Sequence, residues 1–269
     1  MIKNAWLFFR ALLASRTLLV SLVKNDFRTK YVNNFLGVFW AFIQPTVTIL
    51  IFWFVFQMGF RSGPVGDAKT PFILWFICGI IPWFYIAESI GTTCGAVKEN
   101  AFLVKKIVFR VSLLPIVKQC SALIVHLFFV LFMLFMFMVY GYRPNLYWLQ
   151  LIYYIFCSTV LLIGIAWLTS SVVVFFNDLS QVVAMVIQFG FWLTPIFWQV
   201  TMLPERIQWL FKANPAYYIT QGFRNSLIES EWFWEKPHQM LVFWIITLSI
   251  LVLGATVFKK LRPHFADAL

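Results

Sequence analysis

The stretch PFILWFICGIIPWFYIAESIGTTCG, residues 71–95, decides how this chain has to be read. From Phe72 to Cys94 it carries one charged side chain, Glu88, and it is long enough for a helix to cross a hydrocarbon core of about 30 Å. The rest of the chain is built the same way. Of 269 residues 62% are hydrophobic and 12% charged, more apolar surface than a soluble core of this size can hide. Apolar runs of roughly twenty residues, rather than segments of about ten that alternate in polarity, specify helices and not a barrel. The expected fold is an all-α polytopic membrane protein.

Hydropathy places six spans, at about 36–59, 72–94, 112–140, 149–175, 181–200 and 239–258. An even number puts both termini on one side. That side receives 14 of the 21 Lys and Arg residues: Lys3, Arg10, Arg16, Lys24, Arg28 and Lys30 before the first span, Lys98, Lys105, Lys106, Arg110 and Lys118 around the second loop, and Lys259, Lys260 and Arg262 at the end. The excess of cations assigns both termini to the cytoplasm. The formal charge of +11 is then matched by anionic inner-leaflet lipid and a cytoplasmic partner, and calls for no nucleic acid. Residues 4–23, NAWLFFRALLASRTLLVSLV, are interrupted by Arg10 and Arg16 and lack a small-residue cleavage site. They predict a basic amphipathic helix in the membrane interface, with Trp6, Phe9 and Leu13 inserted, rather than a signal peptide. The expected organisation is an interface helix and linker over residues 1–35 and a six-span domain over 36–269. Cys78, Cys94, Cys120 and Cys157 fall in or at the ends of spans with no CxxC pairing, and read as packing residues rather than a disulfide or metal set.

The stretch FWLTPIFWQV, residues 191–200, ends the fifth span on a proline and leads into a long mixed segment, 202–237, on the outer side. Pro195 predicts a kink at the mouth of that span. Two short helical patterns follow, one opened by Leu203-Pro204 with Ile207, Leu210 and Phe211 at helical spacing, the other by Asn214-Pro215 and running to Ile228. Asn is a good N-cap and Pro suits the first helical turn. Too short to cross, and carrying Trp209, Phe211, Tyr217, Tyr218 and Phe223, they predict a re-entrant or interfacial pair at the outer headgroup level. The plainer alternative is an outer loop anchored by its aromatic rings.

Ionisable groups inside the membrane are costly, and this chain has few. Glu88 lies beside Ala87, Gly91 and Gly95, a small-residue stripe that admits a neighbouring helix; it is either a polar point on a translocation path or an interhelical hydrogen-bonding group. His126 in the third span reads as a packing residue. An ion-coupled carrier needs more polar chemistry than this. No HExxH, GxSxG or GxxxxGK[ST] occurs, His126, His238 and His264 are far apart, and Gly59, Gly63 and Gly66 read as turn formers. No catalytic set, cofactor cradle or metal site is expected, so the energy for any transport comes from another subunit. The 32 Phe, 13 Trp and 9 Tyr make 20% of the chain. Most face lipid or pack between helices, but Trp83, Phe84 and Tyr85, and Phe197 and Trp198 before Gln199, join flat faces to hydrogen-bonding groups in a way that suits sugars.

Between the second and third spans lies VKENAFLVKKIVFR, residues 97–110, with Phe102, Leu103 and Ile107 set among Lys98, Glu99, Lys105, Lys106 and Arg110. It rests on the inner leaflet or fits a groove on a cytoplasmic protein. The next cytoplasmic loop, FFNDLSQ, is tighter, with Asn177 and Asp178 suited to a turn or cap, and the two loops would make a small docking face.

Together KNDFRTKYVNNFLGVFWAFIQP, ICGIIPWFYIAESI, ENAFLVKKIVFR, VVFFNDLSQVV, FWLTPIFW and LPERIQWLFKANPAYYITQGFR resemble, in order and over nearly the whole chain, the membrane subunits of type-2 ABC transporters. These export polyprenyl-diphosphate-linked cell-surface polysaccharides, and the likeness extends to wall teichoic acid, O-antigen and capsule exporters. The resemblance implies a homodimer in the bacterial plasma membrane, bound to two cytoplasmic ATP-binding subunits that hold ATP and Mg, with a channel along the dimer axis and no cofactor in this chain. It implies that residues 97–110 are a coupling helix, with Glu99, Asn100, Phe102 and Lys105 nearest the ATPase and Lys106 and Arg110 following. Lys24, Arg28 and Lys30 become candidates for the lipid diphosphate. Trp83, Phe84, Tyr85, Glu88, Phe197 and Trp198 become channel candidates, and Tyr217, Tyr218 and Arg224 an exit rim. Two other classes stand beside this one: an ion-coupled secondary carrier or flippase, disfavoured by the scarcity of intramembrane charge, and an intramembrane transferase, for which Glu229, Glu231 and Glu235 are the nearest acids.

Overall fold

The computed structural model describes residues 16–32, 37–59, 63, 70–105 and 110–269. The main helices are α1 (Arg16–Val32), α2 (Trp40–Phe54), α3 (Phe72–Cys94), α4 (Leu113–Val139), α5 (Gln150–Val172), α6 (Leu179–Leu193), α7 (Glu205–Lys212), α8 (Pro215–Arg224) and α9 (Pro237–Leu261). The all-α polytopic expectation holds. Among the described residues five helical stretches are long and apolar enough to cross a membrane: Gly37–Gly59, Phe72–Cys94, Leu113–Val139, Leu146–Val172 and Pro237–Ala268.

The fifth of the six expected spans differs. Instead of running over 181–200, α6 has 15 residues and stops at Leu193; at 1.5 Å per residue it covers about 22 Å, less than a hydrocarbon core. The cause is local. A proline ring clashes with the helical conformation of the residue before it, and Thr194, which precedes Pro195, is extended at φ −86° and ψ 129°. The proline therefore ends the helix rather than kinking it. The N-terminal element also differs: the described helix is Arg16–Val32, while residues 4–15 of the expected amphipathic helix, with Trp6, Phe9 and Leu13, lie outside the described residues.

Helix α3 is the hub. It is buried along most of its length and packs on α4, α5, α6 and α8. Helix α5 lies against α9 through glycine: a Cβ at Gly254 would stand 2.2 Å from the Gly164 carbonyl oxygen, and one at Gly164 would stand 2.8 Å from Leu251 Cα. Two ends can be told apart by contact. At the tail end, Phe265 is buried with Ala96, Val97, Val111, Leu114, Val174 and Phe258. At the far end, Tyr147 meets Trp232 with ring centroids 4.8 Å apart. There Gln150, 3% exposed, donates to the Glu231 carbonyl at 2.6 Å and accepts from the Phe233 N–H at 2.9 Å.

The two short helices form where expected and are unlike each other. Asn214 caps α8, its Oδ1 accepting the Ala216 N–H at 3.0 Å with Pro215 in the first turn. Helix α8 is buried from Ala216 to Arg224, apart from a half-buried Gln221, between α3, α5 and α9. Helix α7 buries none of its residues and exposes Trp209 and Leu210, as an interfacial helix does.

Candidate functional site

Beyond α6 the backbone runs non-helically inside the protein, and helix ends of this kind leave carbonyls that need donors. In a bilayer such backbone is tolerated only where protein covers it and satisfies it. Arg224, at the end of α8 and 1% exposed, does this. Its guanidinium donates to the Pro195 carbonyl at 2.8 Å, the Ile196 carbonyl at 2.8 Å and the Trp75 carbonyl at 3.4 Å, and lies 3.6 Å from the Trp75 ring centroid. The planar five-donor fork is what lets one side chain serve three carbonyls and stack at once. Gly79 makes the room: a Cβ there would meet the Arg224 guanidinium at 2.7 Å and the Ile196 carbonyl oxygen at 3.1 Å. Sequence reasoning put Arg224 at an exit rim; in the fold it is an internal clamp joining α8, α3 and the chain after α6. The signal that could have located it was the proline itself, which guarantees orphaned carbonyls.

A cavity of about 370 Å³ opens between α1, α2, α3 and α4. Its polar lining includes Lys30, Gln44, Thr48, Tyr85, Glu88 and His126, and Trp40, Pro45, Phe84 and Phe129 supply apolar wall. Lys30 of α1 forms an ion pair with Glu88 of α3 at its mouth. Two residues that the sequence assigned to separate roles are thus neighbours. Deeper in, the Tyr85 hydroxyl stands 3.3 Å from Thr159 Oγ1 and accepts from Gln119 Nε2 at 3.3 Å, while Gln119 also donates to the Thr159 carbonyl at 2.9 Å. His126, 3% exposed, stacks on Tyr85 with ring centroids 4.7 Å apart. Neither ring nitrogen has a hydrogen bond of good geometry, the Ile81 carbonyl being the polar neighbour.

At the tail end three pieces of chain become one body. Lys98 donates to Asn177 Oδ1 at 2.7 Å, joining the loop after α3 to the turn after α5. Lys118 of α4 bridges Asp26 of α1 at 2.9 Å and Glu99 at 3.1 Å. The Asn100 side chain donates to the Ala96 carbonyl at 2.8 Å, and Phe265 from the C-terminal turn fills the space beneath. Above this support Phe102 is 72% exposed and Phe176 68% exposed. Lys105 and Arg110 are exposed, and Lys106 lies outside the described residues. Loss of a buried Phe ring costs about 3–5 kcal/mol. Phe265→Ala should therefore raise amide hydrogen exchange over residues 96–104 by at least about tenfold, with Phe265→Leu keeping most of the protection; unchanged exchange would show that the tail supports nothing.

The remaining candidates are placed as follows. Lys24 and Arg28 are exposed on α1. Trp83 is buried, against a glycine on α6 where a Cβ at Gly190 would stand 2.8 Å from the indole. Phe197 packs among Phe52, Phe56 and Phe191, and the Trp198 indole N–H donates to the Trp192 carbonyl at 3.2 Å. Tyr217 and Tyr218 are buried; the Tyr218 hydroxyl is 3.2 Å from that of Tyr153 and its ring stacks on Phe243. Of the far-end acids, Glu229 and Glu231 share Lys236, and Gln221 donates to Glu229 at 3.0 Å. Burial pushes the Glu229 carboxyl above the usual carboxylate range, opposed by Lys236 and assisted by the charge of Glu231.

The structure is thus a helical membrane domain with α6 cut short and the chain after it clamped by Arg224, a short buried α8 and a jointed loop face at one end. Residues 17–228 match the model of the ABC-2 type transporter family, and the chain belongs to that family. It is similar to the O-antigen export system permease protein RfbA of Klebsiella pneumoniae, at 27% identity over 94% of this chain and 95% of that protein. The protein of the same name from Myxococcus xanthus is 23% identical over 97% of this chain and 98% of its own length.

Proposed function

We propose that this chain is the channel-forming subunit of an ATP-driven exporter that carries an O-antigen-type glycan on polyprenyl diphosphate across the bacterial plasma membrane, from the cytoplasmic to the outer side. The observation that carries this is the end-to-end likeness to permeases named for O-antigen export. The jointed tail-end face adds support, since rigid attachment of Phe102 and its neighbours to α3, α4 and α5 is what a lever driven by a partner needs. In this reading that face is cytoplasmic, with both termini, and docks an ATP-binding subunit through Glu99, Asn100, Phe102, Lys105, Lys106 and Arg110. ATP and Mg are held by the partner. Two copies of the chain enclose the pore, consistent with α6, too short to cross alone, exposing Val182, Met185, Val186, Phe189 and Trp192. Lys24, Arg28 and Lys30 face the lipid diphosphate.

The test is purification of the tagged chain from its native membrane in mild detergent. Recovery of an ATP-binding subunit near one-to-one stoichiometry is expected. If the chain emerges alone under conditions that hold other such complexes together, the exporter reading falls and an ion-coupled carrier or a transferase takes its place. In the intact complex, Arg28→Gln with Lys30→Gln should cut glycolipid-stimulated ATP hydrolysis by about tenfold while sparing assembly, as expected for loss of charge-assisted phosphate bonds; full stimulation would remove these cations from the diphosphate.

A further inference from the structure

We propose that the cavity between α1, α2, α3 and α4 binds the phosphate end of a membrane-anchored diphosphate, and that Glu88 holds Lys30 in the anion's place until the anion displaces it. This rests on the export reading above and assigns it a site.

The cavity's chemistry points to an anion. At about 370 Å³ it is within the roughly 300–1,000 Å³ of small-ligand sites. Its polar lining includes groups that can donate, the Lys30 ammonium, the Gln44 amide and the His126 imidazole, while the Thr48 hydroxyl already donates to the Gln44 carbonyl at 2.9 Å. Glu88 alone among them can only accept while ionised, and it is paired with Lys30. The carboxylate therefore supplies the negative charge that the lining otherwise lacks. His126 is the second observation. Buried nitrogens without good partners cost free energy, and here neither nitrogen of His126, a 3% exposed residue of the cavity wall, has a hydrogen bond of good geometry, the Ile81 carbonyl being the polar neighbour and the ring being held flat against Tyr85. Tyr85 is itself fixed by Gln119 and Thr159, so the imidazole is braced. A phosphate oxygen reaching inward would give it an acceptor.

The exchange needs a cation for the anion and room for the displaced carboxylate. An anion entering apolar surroundings needs a cation beside it, and Lys30, once released from Glu88, supplies one. The Glu88 side chain is 43% exposed, so it has room to swing away from Lys30 once released. Trp40, Pro45 and Phe129 offer apolar wall for the first isoprenoid carbons behind the phosphate. Lys30 and Glu88 belong to different helices, so the exchange would also uncouple α1 from α3.

The experiment is equilibrium binding of radiolabelled farnesyl diphosphate to the complete complex in phosphatidylcholine nanodiscs. Glu88→Gln removes the competing charge and keeps the shape. It should tighten binding about three- to fivefold, the free energy of a partly exposed ion pair. Lys30→Gln should weaken binding by about tenfold, and His126→Phe, which keeps the stack on Tyr85, should weaken it severalfold. Farnesol should not compete. Unchanged or weaker binding by Glu88→Gln overturns the exchange, and unchanged binding by His126→Phe removes the cavity from the site. Competition by phosphatidylglycerol or inorganic diphosphate at equal potency would assign the site to phosphate in general and overturn the assignment to the carrier lipid. The export reading fails separately: a complex that binds farnesyl diphosphate as described yet contains no ATP-binding subunit keeps the site and loses the exporter.

Discussion

Arg224→Met should lower the stability of the membrane domain by on the order of 3 kcal/mol or more and sharply reduce the yield of folded protein. The substitution leaves the Pro195 and Ile196 carbonyls, each now accepting at 2.8 Å from the guanidinium, without a donor. A buried polar group stripped of its partner costs about 1–3 kcal/mol, and bonds from a charged donor are the stronger kind. With Arg224 1% and Ile196 0% exposed, no bulk water reaches these carbonyls to replace the lost donors. Arg224→Lys keeps the charge and loses the fork, so it should recover only part of the stability, one ammonium being unable to serve three divergent carbonyls and stack on Trp75. A thermal melt of the detergent-solubilised protein followed by size exclusion decides it. A melting temperature within a degree or two of the parent for Arg224→Met would show that the chain after α6 holds itself.

The second large effect is expected where α5 crosses α9. Gly254→Ala adds a methyl 2.2 Å from the Gly164 carbonyl oxygen and 3.3 Å from the Leu168 backbone nitrogen. The obstacle is backbone on a neighbouring span, not the end of a flexible side chain, so the helices must separate. Overpacking typically costs about 1–3 kcal/mol and sometimes more, and separating the spans loses close contact that small residues make possible in membranes. Helix α9 should detach first, seen as faster proteolysis of the 230–236 segment and a lower melting temperature. Gly91→Ala is the control: its added carbon would make ordinary contact with Ile187 at 3.8 Å, and it should be close to neutral. Equal melting of the two variants would refute the account of the crossing.

Membrane residence, helical class and five of the spans were legible because they depend on composition over some twenty residues, which solvent transfer alone decides. The NP start of α8 was legible because capping is local. The length of α6 was half-legible: Pro195 announced a disturbance, but kink and termination differ only by whether the next carbonyls find donors elsewhere. That donor, Arg224, lies 28 and 29 residues along the chain from the carbonyls it serves most closely. Nothing local distinguishes a buried clamp from an exposed cation when both follow an amphipathic helix.

The same holds for the cavity and the tail-end face. Lys30 and Glu88 are 58 residues apart, and Lys98 and Asn177 are 79 apart; no pattern short enough to read along the chain pairs them. Phe265 gave no sign of packing beneath Val97, because an aromatic residue in a charged tail has the same sequence appearance free or docked. Patterning along the chain thus settled the solvent of each segment and its local conformation, since hydropathy, caps and proline sterics act within a few turns. Which polar side chain meets which partner was settled by the packing of α1, α3, α4 and α8, because a buried donor takes whichever acceptor the fold brings within about 3 Å, however far away it lies in sequence.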